Sequence, residues 1–278
     1  MAVRSVADFL ALDTVGPDTF RSVEPSNDHP LGGLYGGHAL AIGLRAAGLT
    51  VTPDRLPHSV HGYFLRRGLG APPLDVHVAR DTDGRSFSAR RVTISQSDKV
   101  IFTMTASFHV DEAGPETQVP TMPTDVADPE TATSRWGEHR PVSVVEVRDL
   151  DNRFGTSTVP TRAWGRASAP IGDDPLLHAC ALLHFCDLYT GLPPMPGTDD
   201  SGGPSLDHAF WFHRPVRMDD WVLMDLEPVS TAGGRGLYLG SFYDRAGVLV
   251  ASLAQEVLYS SSRPLRPRPD FLDGKHPD

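Results

Sequence analysis

The chain has 278 residues, 40% of them apolar, and a formal charge of −10 from 35 acidic and 25 basic side chains. That composition suits one large or two small packed domains and argues against a disordered chain. An acidic balance without a basic stripe argues against a nucleic-acid partner, because phosphate binding draws on clustered Lys and Arg.

The N-terminal stretch MAVRSVADFLALDTVG is too short and too acidic to read as a secretory signal. No apolar run approaches the roughly 20 residues needed to cross a bilayer. The expectation is a soluble, cytoplasmic protein with no membrane insertion. Further along, GGHALAIGLRAAGL (36–49) predicts a helix whose Gly and Ala content permits close contact with a sheet. The pair Gly36-Gly37 at its start lets backbone N–H groups approach a ligand oxygen, although no G-x-G-x-x-G or Walker spacing surrounds it. Three strand-like blocks follow: HSVHGYFLRRG (58–68), DGRSFSARRVTI (83–94) and KVIFTMTASFHV (99–110). In the last, Val100, Phe102, Met104, Ala106, Phe108 and Val110 alternate with Ile101, Thr103, Thr105, Ser107 and His109, the period of a strand with one buried face.

Residues 116–140 are polar and Pro-rich and read as a linker. Asp174-Pro175 then supplies an N-cap and a Pro at the first helical position. The segment LLHACALLHFCDLY (176–189) follows, apolar on nearly all sides and stopped by Gly191 and Pro193. Its two cysteines, Cys180 and Cys186, match no zinc spacing and read as small core residues in a reducing compartment. The blocks SLDHAFWFHRP (205–215), AGGRGLYLGSF (232–242) and GVLVASLAQEVL (247–258) repeat the earlier series in order. Aligning His61 with His208 superposes Tyr63 on Phe210, Phe64 on Trp211 and Arg67 on Arg214. The chain therefore reads as a duplication: residues 1–115, a linker at 116–140, a second copy at 141–265 and a Pro-rich tail at 266–278. One buried helix followed by antiparallel strands, twice over, predicts an α+β double hotdog, each helix wrapped by a curved sheet.

Three residues stand out chemically. Asp187 is a carboxylate in an apolar helix, with His184 one turn earlier; either it reaches solvent at the helix end or it is held by partners. Gln255 interrupts the stripe Leu249, Ala251, Leu253, Val257, and Ser107 takes the matching place in the first copy. It is either a satisfied core amide or a site residue. Ser205 opens a strand and alone reads as a turn residue. There is no G-x-S-x-G elbow for a serine nucleophile and no H-E-x-x-H or comparable metal set.

These blocks, with LYGGHALAIGL, together resemble the acyl-CoA thioesterase II family of double-hotdog enzymes, and the resemblance covers most of the chain. It implies that Asp187, Ser205 and Gln255, the second copy's catalytic set, hold a water for attack on the thioester carbonyl of acyl-CoA, with no metal and no cofactor. Ser205 stands where the family carries Thr, and His38 where many relatives carry Gln. Gly36, Gly37 and His38 are the expected substrate contacts at the first helix. The cationic side chains are nearly all Arg, since Lys occurs only at Lys99 and Lys275. Codon usage in a GC-rich genome explains that bias too. Arg66, Arg67, Arg90, Arg91, Arg214 and Arg235 are the candidates for the coenzyme A phosphates. The active site is expected where the second copy faces the first copy's helix, and a homo-oligomer is expected. Rival readings are a non-catalytic acyl-binding protein and a hotdog hydratase. Hotdog hydratases resemble one another through an Asp followed five residues later by His, and DLYTGL from Asp187 lacks that His.

Overall fold

The computed structural model describes residues 4–23, 33–132, 144–150, 161–195 and 203–259. The first half contains α1 (Val6–Phe9), β1 (Leu12–Gly16), β2 (Thr19–Ser22), α2 (Gly36–Gly48), β3 (Arg55–Phe64), β4 (Asp75–Asp83), β5 (Phe87–Gln96) and β6 (Lys99–Val110). The second contains β7 (Val145–Asp149), β8 (Arg162–Ala167), α3 (Pro175–Phe185), β9 (Asp207–Phe212), β10 (Val222–Ala232), β11 (Arg235–Asp244) and β12 (Leu249–Leu258). All twelve strands join one antiparallel sheet in the order β1-β2-β4-β5-β6-β3-β9-β12-β11-β10-β8-β7. That order is palindromic: each half repeats the other about the β3–β9 junction. The expected α+β double hotdog is the fold.

The junction carries the duplication in its register. Across β3 and β9, His61 pairs with Ala209 and Gly62 with His208. His61 faces outward while His208 is buried, so the His61–His208 alignment is one residue out. Val60 is the counterpart of His208, and exchanging the halves turns the Val60–Phe210 pair into Gly62–His208. Helices α2 and α3 lie together against the inner face of the sheet. Ten residues of α2 are buried, from Gly37 to Ala47, which its small side chains permit. In α3 the Asp174 side chain accepts from the N–H groups of Leu176 and Leu177, with Pro175 beginning the helix as expected.

One boundary and one register differ from the sequence reading. Helix α3 ends at Phe185, not at Tyr189, so Asp187 lies just beyond the helix instead of within it. The second difference is one of register. Ile101 and Val250 are each the extra residue of a β-bulge, opposite Ile94/Ser95 and Phe242/Tyr243 respectively. Counted from the bulges, the inner-face counterpart of Gln255 is Ala106, not Ser107. Ser107 points to the other face, where its hydroxyl lies 2.7 Å from His58 Nε2. A shift of one residue turns a strand side chain to the opposite face of the sheet.

Residues 116–132, expected as the start of a linker, pack against the outer face of the second half. Met122 and Val126 lie on Trp164, Trp221, Leu223, Tyr243 and Leu249. The Gln118 amide donates to Gly247 O and accepts from Leu249 N, and Trp164 Nε1 donates to Ala127 O. The rest of the linker and the tail at 266–278 lie outside the described residues.

Arg90 is a correction. It is 1% exposed and faces the core, not an entrance. Its guanidinium donates to Thr50 Oγ1 and O, to the Thr82 and Ala89 carbonyls and to Asp83 Oδ1. It therefore ties β5 to the C-terminal end of α2, where a cation also complements the helix dipole. On the inner face Arg90 pairs with Ala106, while in the second half Tyr238 pairs with Gln255. Arg90→Ala leaves the buried Thr50 hydroxyl and carbonyl without their donor. Loss of one partner from such a cluster costs about 3 kcal/mol, and thermal unfolding is expected to show a Tm lower by roughly 6–12 °C. An unchanged Tm contradicts this role.

Candidate active site

Three side chains from the second half converge on one point. Gln255, on β12, donates from Nε2 to Asp187 Oδ1 at 2.9 Å and to Ser205 Oγ at 2.5 Å. Ser205 Oγ is 3.5 Å from the same carboxylate oxygen. A backbone bridge between Ser205 and Val257 places the hydroxyl beside β12 before β9 begins. One amide thus spends both of its protons on the other two members, so the three form a single unit.

The first half supplies the wall. The N–H of Gly37 donates to the Asp187 carboxylate. A side chain at Gly36 would collide with Asp187 Oδ2 and press on the Phe64 ring, and one at Gly37 would strike His184 O. Only glycines let the N-terminus of α2 come this close. The site lies where the second half faces the first half's helix.

The electrostatics follow from burial. The Asp187 side chain is 7% exposed. Burial pushes its carboxyl up to about 6, against hydrogen bonds from Gln255, Gly37 and Ser205 that favour the ionised form. Next to it, burial drives His208 down to about 3, so its imidazole is neutral near pH 7. Burial likewise holds the Cys186 thiol well above its usual range.

Other sequence candidates fall elsewhere. His38 turns away from Asp187: its ring centroid lies 4.4 Å from that of Phe9 and 6.3 Å from that of His184. It is 1% exposed and neither ring nitrogen has a hydrogen-bond partner among the described residues. His184 packs among Tyr35, Phe9 and His38, and its carbonyl accepts from Tyr35 Oη. Arg66 donates to Val100 O, Arg91 pairs with Asp81, and Arg235 pairs with Glu256. Arg214 donates to Leu249 O and to Glu116, holding the 116–132 segment. Arg67 lies against Gly33, three residues before α2.

The sequence reading missed His208 and Cys186 as neighbours of the site. Cys186 Sγ is 3.1 Å from His208 Nε2, and His208 Nδ1 is 3.9 Å from Asp187 Oδ1. The signal was available for His208. It shares parity with Phe210 and Phe212 and is a polar break in an apolar stripe, as Gln255 is.

Known proteins agree with this architecture. Sequence models of the acyl-CoA thioesterase N-terminal and C-terminal domains match residues 25–109 and 116–259. The acyl-CoA thioesterase 2 of Haemophilus influenzae is 30% identical over 92% of this chain and 97% of its own length. Acyl-coenzyme A thioesterase 8 of Rattus norvegicus is 32% identical, covering 80% of this chain and 79% of its own. The crystal structure of an acyl-CoA thioesterase II from Mycobacterium marinum superposes with a TM-score of 0.74 at 32% identity, covering 93% of this chain and all of that one. The chain belongs to the acyl-CoA thioesterase family of double-hotdog proteins.

A base works only when deprotonated, so the carboxyl at about 6 gives the pH dependence its sign. As pH falls through that value, kcat/KM for a thioester substrate is expected to drop, approaching about tenfold per unit. A profile flat down to about pH 4, the range of an unperturbed carboxylate, contradicts Asp187 as the base.

Proposed function

We propose that this chain hydrolyses acyl-CoA to free fatty acid and coenzyme A, using a water held by Asp187, Ser205 and Gln255. The observation that carries the reading is the Gln255 amide bonded to both Asp187 and Ser205 at the boundary of the two halves. Water bound to Asp187 attacks the thioester carbonyl carbon as the carboxylate takes its proton. The carbonyl π electrons move to oxygen and return as the C–S bond breaks. The coenzyme A thiolate leaves and recovers the proton from Asp187. The Ser205 hydroxyl accepts from Gln255 and donates to Asp187 Oδ1, which ties the amide to the carboxylate beside the water. Fixing the water removes orientational freedom that the reaction otherwise has to lose, and a positioned base adds roughly 10²–10⁴-fold.

The first half lacks the equivalent set. Ala106 stands opposite Gln255, and Arg90 occupies the inner face where Tyr238 lies in the second half. One working site per chain is the reading these residues support. Among the described residues no helix is long and apolar enough to cross a membrane. A cytoplasmic place in fatty-acid metabolism and assembly as a homo-oligomer complete the proposal.

The test is thiol release from acyl-CoA of lengths from acetyl to palmitoyl, with Asp187→Asn beside the wild type. The wild type is expected to hydrolyse at least part of the series. The variant is expected to lose most of kcat, on the order of the 10²–10⁴-fold due to a base. No hydrolysis at any length, or full kcat in the variant, contradicts the reading.

A further inference from the structure

An amide can be inserted two ways round. If Gln255 were flipped, its oxygen would face the Asp187 carboxylate, which has no proton to give, and the array would fail. The ionised carboxylate favours the working orientation. During the proposed turnover Asp187 becomes protonated, and that preference disappears. Something at the other end of the amide must hold it through both states.

The other end points at His208. Gln255 Oε1 and His208 Nδ1 are both buried and neither has a close hydrogen-bond partner. They sit on the inner faces of adjacent strands, next to the Ala254–Ala209 pair. On the far side of the ring, His208 Nε2 is 3.1 Å from Cys186 Sγ. We propose that Cys186 and His208 form a positioning chain for Gln255, with the thiol donating to His208 Nε2 and His208 Nδ1–H facing Gln255 Oε1. This rests on the proposed role of Gln255.

Three observations favour that proton placement. A neutral imidazole carries one N–H, and the Asp187 charge 3.9 Å from Nδ1 favours having it on that side. The Gln255 amide acts on His208 as an acceptor does, favouring its protonated form against the stronger effect of burial. The Cys186 thiol is buried and stays protonated, so it is available as a donor. Its rival acceptor is the Leu183 carbonyl at 3.1 Å, the alternative that the test must separate.

His208→Phe keeps the ring's bulk and removes the donor. It is expected to lower kcat about tenfold or more with KM nearly unchanged, since misorienting a reacting group affects the chemical step. His208→Asn restores much of that loss because its amide N–H stands where Nδ1–H was. In a Gln255→Ala background His208→Phe is expected to add nothing, as members of one unit are not additive. A purely structural role would give the same fold loss in both backgrounds and overturn the proposal. Nitrogen NMR of the wild type, which needs no variant, is expected to find the His208 proton on Nδ1; a proton on Nε2 overturns it. Asp187→Asn runs in the same series. If it loses kcat while His208→Phe does not, the positioning chain fails and the proposed function stands. If Asp187→Asn keeps kcat, both fail.

Discussion

The Asp187 carboxylate is 7% exposed at the seam between the two halves, and an ion held that far from water has to be matched by donors. Those donors come from three separate parts of the chain: β12 gives Gln255, the segment before β9 gives Ser205, and the N-terminus of α2 gives the Gly37 N–H. Much of the local architecture follows from keeping them together. Helix α3 stops at Phe185, so the next residues can turn toward the sheet. Gly36 and Gly37 lack side chains because any Cβ would displace the carboxylate or the end of α3. The β3–β9 pairing joins the halves and brings the first half's helix against the Asp187 cluster of the second. Neither half contains the site alone.

The two halves share one frame and differ in the polar residues they bury. The two inner faces are comparable in register, yet their polar residues do different work. In the second half Gln255 beside Tyr238 leaves a polar pair next to a carboxylate. In the first half Arg90 beside Ala106 sends a guanidinium into the matching region and fills it with internal hydrogen bonds to Thr50, Thr82 and Asp83. A buried cation fixed to the end of α2 stabilises the frame. A buried anion with a shared amide, in the proposed mechanism, is reactive. The same face thus carries a strut in one copy and the proposed catalytic unit in the other.

Much of this was legible in the sequence because it rests on period and order. The alternating stripes located the strands, Asp174-Pro175 opened α3, and the His61–His208 alignment found the two central strands, though one residue out of register. Polar breaks in buried stripes pointed to Asp187 and Gln255, and the resemblance to thioesterases drew Ser205 to them. What stayed hidden depended on geometry that sequence spacing does not encode. Aligning residues 99–110 on 247–258 was one residue out and made Ser107 appear to match Gln255; the equivalent bulges at Ile101 and Val250 show that Ala106 does. Arg90 read as a surface cation because charge ordinarily means solvent, and only its partners reveal a buried role. His208 and Cys186 went unnoticed as neighbours, since their proximity depends on where α3 ends.

The central claim is that Asp187, Ser205 and Gln255 act as one unit on one water. It is tested most directly by kcat for Ser205→Ala and Gln255→Ala, singly, together and each with Asp187→Asn. Shared function predicts that the combined losses fall well short of the product of the single ones, with no double variant much worse than Asp187→Asn alone. Losses that multiply fully across the set contradict a shared water and would make the three residues independent contributors.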